Sequence, residues 1–138
     1  MTAIFSGFSE FGRVLAGFLV AESAVRGAVL SDSEGDAIDF AFVPSRTSEL
    51  EVQLLGAQLD RAAARVASWA AAHGRGSCEI LIEASHGRLC CALLDATYVL
   101  AALIDPASGD DTRSTAEAER LLAGFRTVRR QIETLLRS

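Results

Sequence analysis

Apolar residues recur at Ile4, Phe8, Phe11, Leu15, Phe18 and Leu19, the three-and-four spacing of one helical face, and predict a first helix from Ala3 to about Glu22. Gly7, Gly12 and Gly17 fall inside it and weaken it relative to Ala, so this helix depends on docking its phenylalanines. Val25 to Leu30 and Ala37 to Val43 are short apolar segments on either side of SDSEGD, whose Asp, Ser and Gly residues supply turn chemistry; together they predict a β-hairpin. Pro44 ends the second strand, and Ser45 to Ser48 offers N-caps for a helix from Glu49 to about His73, closed by Gly74. At about 100° per residue, Val52, Leu55, Leu59, Ala62, Val66, Trp69 and Ala70 form its main apolar stripe, expected to face a sheet. Gly56, Ala63 and Ala67 lie beside that stripe, and Ala57, Ala64 and Ala71 lie farthest from it.

Cys78 to Ala84, Arg88 to Leu94 and Thr97 to Ile104 read as three strands joined by SHG and DA, connections too short for crossovers, hence an antiparallel meander. The polar loop DPASGDDT leads to a last helix from about Ser114 to Leu136, with the capping-box pattern Ser114-x-x-Glu117 and an apolar face of Ala118, Leu121, Leu122, Phe125, Val128, Ile132 and Leu135. Both faces of the meander are apolar, so both need cover. The expected fold is α+β: a three-layer α/β/α sandwich with a five-stranded antiparallel sheet in the order α-β-β-α-β-β-β-α. The second helix covers one face and the first and third cover the other. With no repeat, linker or low-complexity segment, residues 1–138 are expected to form a single domain.

Half the residues are apolar and the formal net charge is -5, which gives little reason to bind nucleic acid nonspecifically. The longest apolar run, Val14 to Ala21, is far short of the roughly 20 residues that cross a bilayer, and the N-terminus lacks a basic signal-peptide region. A cytoplasmic protein without membrane insertion is expected. Every Lys/Arg cation is Arg and Ala is abundant, a compositional bias that lowers the weight of any single Arg or Ala.

The stretch SHGRLCCALLD brings a histidine, an arginine and two adjacent cysteines together. It can be read as a metal site, a thiol nucleophile with its base, a redox pair, or the turn and core of a hairpin. Adjacent strand residues point to opposite faces, which separates Cys90 from Cys91 and weakens the paired-ligand reading. With an even-length turn, Cys91 shares a face with Cys78, Ile80, Ile82, Leu89 and Leu93, and Cys90 sits with Leu81, Ala92 and Leu94. Cys78 is then expected about four residues along the ladder from the position opposite Cys91, roughly 13 Å at strand rise. A disulfide needs Cα atoms within about 7 Å, so free thiols are expected. His86 falls in the turn, His73 at a helix end, and no Cys-x-x-Cys or His-x-x-x-His spacing occurs. No catalytic residue, cofactor or metal ligand is assigned. The acidic SDSEGD and SGDD loops do not follow EF-hand spacing and read as turns.

The element order, with GAVLSDSEGDAI opening the first hairpin and CEILIEASHGRLCCALLDATYVLAALID forming the meander, resembles the roadblock family over roughly Val14 to Arg137. Asp39, acidic within the second strand, departs from that pattern and reads as a strand end or an edge. The resemblance implies a dimer, with itself or a related roadblock chain, in which the outer strand pairs with its copy and the second helices lie side by side. Glu79, Leu81 and Glu83 are the strand residues expected at this interface, and Gly56, Ala63 and Ala67 the close-approach residues on the helix. Alanine as a plain helix former is the alternative for that flank. The resemblance further implies a noncatalytic platform that binds and regulates a small Ras-like GTPase, with stimulated GTP hydrolysis as one form of regulation. A structural adaptor that links larger proteins is the alternative. The last helix carries Arg126, Arg129, Arg130 and Arg137 with Glu133 between them. Arg126, Arg129 and Arg130 are either a docking stripe for an acidic partner or a solvated face that complements the helix macrodipole.

Overall fold

The computed structural model describes residues 3–76, 78–107 and 111–138, without the side chains of 111–114. Its elements are β1 (Phe5–Ser6), α1 (Glu10–Ala21), β2 (Val25–Ser31), β3 (Ala37–Phe42), α2 (Glu49–Ala72), β4 (Ile80–Ala84), β5 (Gly87–Leu94), β6 (Tyr98–Ile104) and α3 (Asp111–Leu136). One antiparallel sheet runs in the spatial order β1-β3-β2-β6-β5-β4. The sandwich is as expected, but the sheet has six strands rather than five, and the chain order begins with a strand.

The extra strand comes from residues assigned by periodicity to the first helix. Phe5 and Ser6 pair with Phe42 and Ala41, and Phe5 stacks on Phe40 at 6.2 Å. Phe8, counted on the buried face, is fully exposed. What overrides the helical spacing is a cap supplied from across the sheet. The Asp39 carboxylate accepts hydrogen bonds from the amides of Ser9 (3.1 Å) and Gly12 (3.0 Å) and from the Ser9 hydroxyl, and the Ser9 hydroxyl itself lies 3.4 Å from the Gly12 amide. Asp39 is thus an internal acid that fixes the start of α1, which corrects its reading as a strand end or edge. The first-turn amides of a helix need such acceptors, and an anion there also meets the positive end of the helix dipole. Gly7 and Gly12 make room for it: a Cβ on Gly7 would lie 1.6 Å from Asp39 Oδ1, and one on Gly12 would lie 2.7 Å from Oδ2. These glycines are therefore positional requirements of the cap.

The two faces of the sheet carry separate cores. Leu15 and Phe18 of α1 and Leu121, Phe125 and Ile132 of α3 pack on Leu30, Cys90, Leu100 and Ile104. On the other face Val52, Leu55, Leu59 and Ala63 of α2 pack on Val29, Cys91, Val99 and Ala101. Alternating strand residues serve opposite cores, and each fully buried Leu or Phe contributes about 1.5–3 kcal/mol. Turn chemistry follows the sequence closely. Asp32 Oδ1 accepts from the amides of Glu34 (2.9 Å) and Asp36 (3.0 Å), and Gly35 adopts φ +84° in the β2–β3 turn. Gly74, at φ +69°, follows the end of α2. α3 already begins at Asp111, and the side chain of Ser114, expected as its cap, lies outside the described residues.

Candidate interaction surfaces

The β4–β5 register answers the question raised by the cysteine pair. Ile80 lies opposite Cys91 and Leu81 opposite Cys90, joined through the two-residue turn Ser85–His86. Cys90 enters the α1/α3 core and Cys91 the α2 core, on opposite faces of the sheet. Burial pushes the Cys90 thiol up to about 12, with further upward pressure from Cys91, and burial pushes Cys91 up to about 11. Nucleophilic chemistry needs a lowered thiol pKa, so both are poor candidates. The ladder places Cys78 two residues from the position opposite Cys91, not four, because Ile80 holds that position. All three cysteines are nevertheless free. His86 is exposed in its turn, while His73 caps α2, its Nδ1 2.8 Å from the Trp69 carbonyl and its ring stacked on Trp69 at 4.5 Å. Among the described residues, no group of three or more His, Cys, Asp or Glu side chains is placed to hold a metal ion.

Among the described residues, β4 ends the sheet and pairs only with β5, so its outer backbone row meets no other described strand. Ile82 is 38% exposed and Glu83 is exposed, whereas Ile80 and Leu81 are half-buried. Glu79, expected at the strand contact of a dimer, turns inward: its side chain is 7% exposed and its Oε1 lies 3.3 Å from Nε of both Arg126 and Arg129. Arg129, expected among docking cations, is itself buried between Glu79 and Glu133, the latter at 3.4 Å. Desolvated charges of this kind are held by their partners and are costly to separate. Arg126 and Arg130 remain exposed on α3, while Arg137 reaches Asp95 (3.1 Å) and Glu133 (3.5 Å). The arginine stripe is therefore partly an internal tie between α3 and the start of the edge strand.

The small residues of α2 are divided in the same way. Gly56 faces its own sheet, where a Cβ would lie 2.1 Å from Ser31 Oγ, and Ala63 is buried in the α2 core. Neither is free to meet another helix. Ala67 is half-buried and lines a cleft of about 220 Å³ with Val66, Cys78 and Ile80. Trp69, expected to face the sheet, is 53% exposed, because Ala70 takes the buried position and a neighbouring helical residue sits about 100° away. Leu50 and Leu54 are also exposed on α2.

No protein-family model matches the chain, and no curated protein does. Solved structures do. A roadblock/LC7 domain from Streptomyces avermitilis is similar with a TM-score of 0.69 and 12% identity, covering 91% of this chain and 97% of that one. Myxococcus xanthus MglB matches with a TM-score of 0.58 and 16% identity over 91% of this chain and 99% of its own. The gliding protein MglB of Thermus thermophilus gives 0.59 and 15% over 91% and 95%. The sheet covered by two helices on one face and one on the other is thus shared in overall fold with these domains, and this chain has the roadblock/LC7 fold.

Proposed function

We propose that residues 1–138 act as one roadblock-like domain, a noncatalytic dimeric platform that works in the cytoplasm and binds and regulates a small Ras-like GTPase. The observation that carries the reading is the β4 edge: an apolar Ile82 and a half-buried Leu81 on a strand that, among the described residues, pairs with another strand on one side only. Such an edge invites a second strand, and a twin copy supplies one by two-fold symmetry. Leu81, Ile82 and Glu83 form the strand contact, with Ala67 and Trp69 on the adjoining part of α2. Likeness in fold to proteins named MglB supports the regulatory direction. On α3, exposed Arg130 is the cation of the stripe offered to an acidic partner surface, beside Arg126, which is exposed but tied to Glu79 at 3.3 Å. Among the described residues no helix is long and apolar enough to cross a membrane.

Regulation here means repositioning groups around the γ-phosphate of the GTPase, where positioning and electrostatics carry hydrolysis. The test mixes the protein with a Ras-like GTPase encoded beside it and follows phosphate release together with co-elution. Faster release is the expected result. Co-elution with unchanged turnover supports the second reading, a structural adaptor, and absence of binding to any Ras-like protein removes the platform.

A further inference from the structure

A cleft of about 560 Å³ opens between the N-terminal segment, the end of α1 and the adjoining ends of β2 and β3, lined by Ile4, Leu19, Val20 and Val43 with Ser23 and Arg46 as its polar members. That volume falls within the range of about 300–1,000 Å³ typical of small-molecule sites. Val20 is 74% exposed, a large aliphatic side chain left to water on the cleft wall. Arg46 is held in place: Nη1 donates to the Ser23 carbonyl at 2.7 Å, and Nη2 donates to the Asp105 carboxylate, which also accepts from Arg26. Partial burial pushes the Asp105 carboxyl up, yet the hydrogen bonds from Arg26 and Arg46 outweigh it and hold it below its ordinary value. Two guanidinium groups thus share one ionised carboxylate. Arg26, Arg46 and Asp105 together carry a formal charge of one positive unit, and Arg46 is the member of this trio that lines the cleft.

An apolar wall ending at a fixed, undercompensated cation is complementary to one kind of molecule, a hydrocarbon chain with a single anionic head. We infer that this cleft binds a medium-chain fatty acid, its tail along Ile4, Leu19, Val20 and Val43 and its carboxylate at Arg46. Charge-assisted hydrogen bonds from a guanidinium suit a carboxylate, and the existing contacts of Arg46 reduce the ordering that binding requires. The inference is independent of the β4 edge, which lies at the other end of the sheet order from β1 and β3.

The test titrates decanoate, kept below its micellar range, into 15N-labelled protein and follows amide shifts. Saturable shifts are expected around Leu19, Val20, Val25, Val43 and Arg46. Decanol, with the same tail and a neutral head, binds about tenfold more weakly, and Arg46→Gln lowers decanoate affinity about tenfold without changing decanol binding. Since Arg46 also ties Ser23 and Asp105, Val20→Glu at an exposed position provides a second variant that abolishes decanoate binding while keeping the wild-type thermal midpoint. Absence of saturable shifts, equal affinity for decanol and decanoate, or wild-type decanoate binding by both variants overturns the inference. Binding to phosphatidylglycerol vesicles without binding to decanoate overturns it as well, and assigns the surface to a lipid bilayer.

Discussion

With Asp39 replaced by Ala, the amide of Ser9 loses its acceptor and that of Gly12 keeps only the Ser9 hydroxyl. The expected cost is about 2 kcal/mol, the upper end for a helix cap, and Asp39→Asn, which retains an acceptor oxygen, should lose less. Urea unfolding checks both; an unchanged midpoint for Asp39→Ala would show that the cap contributes nothing. The thiols make a second residue-scale prediction. In the folded protein Ellman's reagent should label half-buried Cys78 and spare Cys90 and Cys91 until the chain unfolds. Folded values of about 12 and 11 stand above the ordinary 9.0, so the unfolded chain loses these protons first as the solution becomes alkaline. Their contribution is complete below about pH 9 and declines as pH rises through the folded values. Moving from about pH 8 to about pH 10 should therefore lower the denaturation midpoint, and the double change Cys90→Ala, Cys91→Ala should reduce that slope. Equal labelling of all three cysteines in the native state would contradict the burial that sets this behaviour.

At the scale of elements, the informative contrast lies between α1 and α2. Both show helical periodicity in sequence, yet only α2 extends over nearly the whole of its predicted range. Residues 4 to 8 fit the same stripe as Leu15 and Phe18, but an edge position beside β3 and a carboxylate at Asp39 fix the helix start at Glu10 instead. Spacing along a chain cannot register a partner that is 30 residues away, as Asp39 is from Ser9. The candidate interface shows the same division. The meander and its outer strand follow from alternation and short turns, whereas the inward turn of Glu79 toward Arg129 depends on how α3 lies across the sheet. Ala63, a plausible contact by helical position, is 2% exposed under α2, so an arginine there would disrupt folding and report nothing about dimers. Ile82→Lys is the cleaner change on the proposed interface, because this side chain is already partly in water. Light scattering should find it monomeric at concentrations where the wild type is dimeric, with Trp69→Ala weakening the dimer less. A dimer that survives Ile82→Lys would exclude the β4 edge.

For the whole molecule, a sheet buried on both sides leaves its ends as the available surface for extension. β1 closes one end with a two-residue strand, and β4 leaves the other open. If the open end joins a twin, stability becomes linked to concentration, and the thermal midpoint of the wild type should rise with protein concentration while that of Ile82→Lys stays level. Sequence alone determined the layers: two-residue alternation in the strands, helical stripes on three segments and connections too short to cross over admit few other packings. It also determined that Cys90 and Cys91 diverge, since the pleat assigns neighbours to opposite faces whatever surrounds them. Tertiary structure alone decided the sixth strand, the capping role of Asp39, the burial of Gly56, Ala63, Glu79 and Arg129, and the residual charge around Asp105. Each of these rests on contacts between segments distant in the chain, whose geometry exists only once the helices have settled on the sheet.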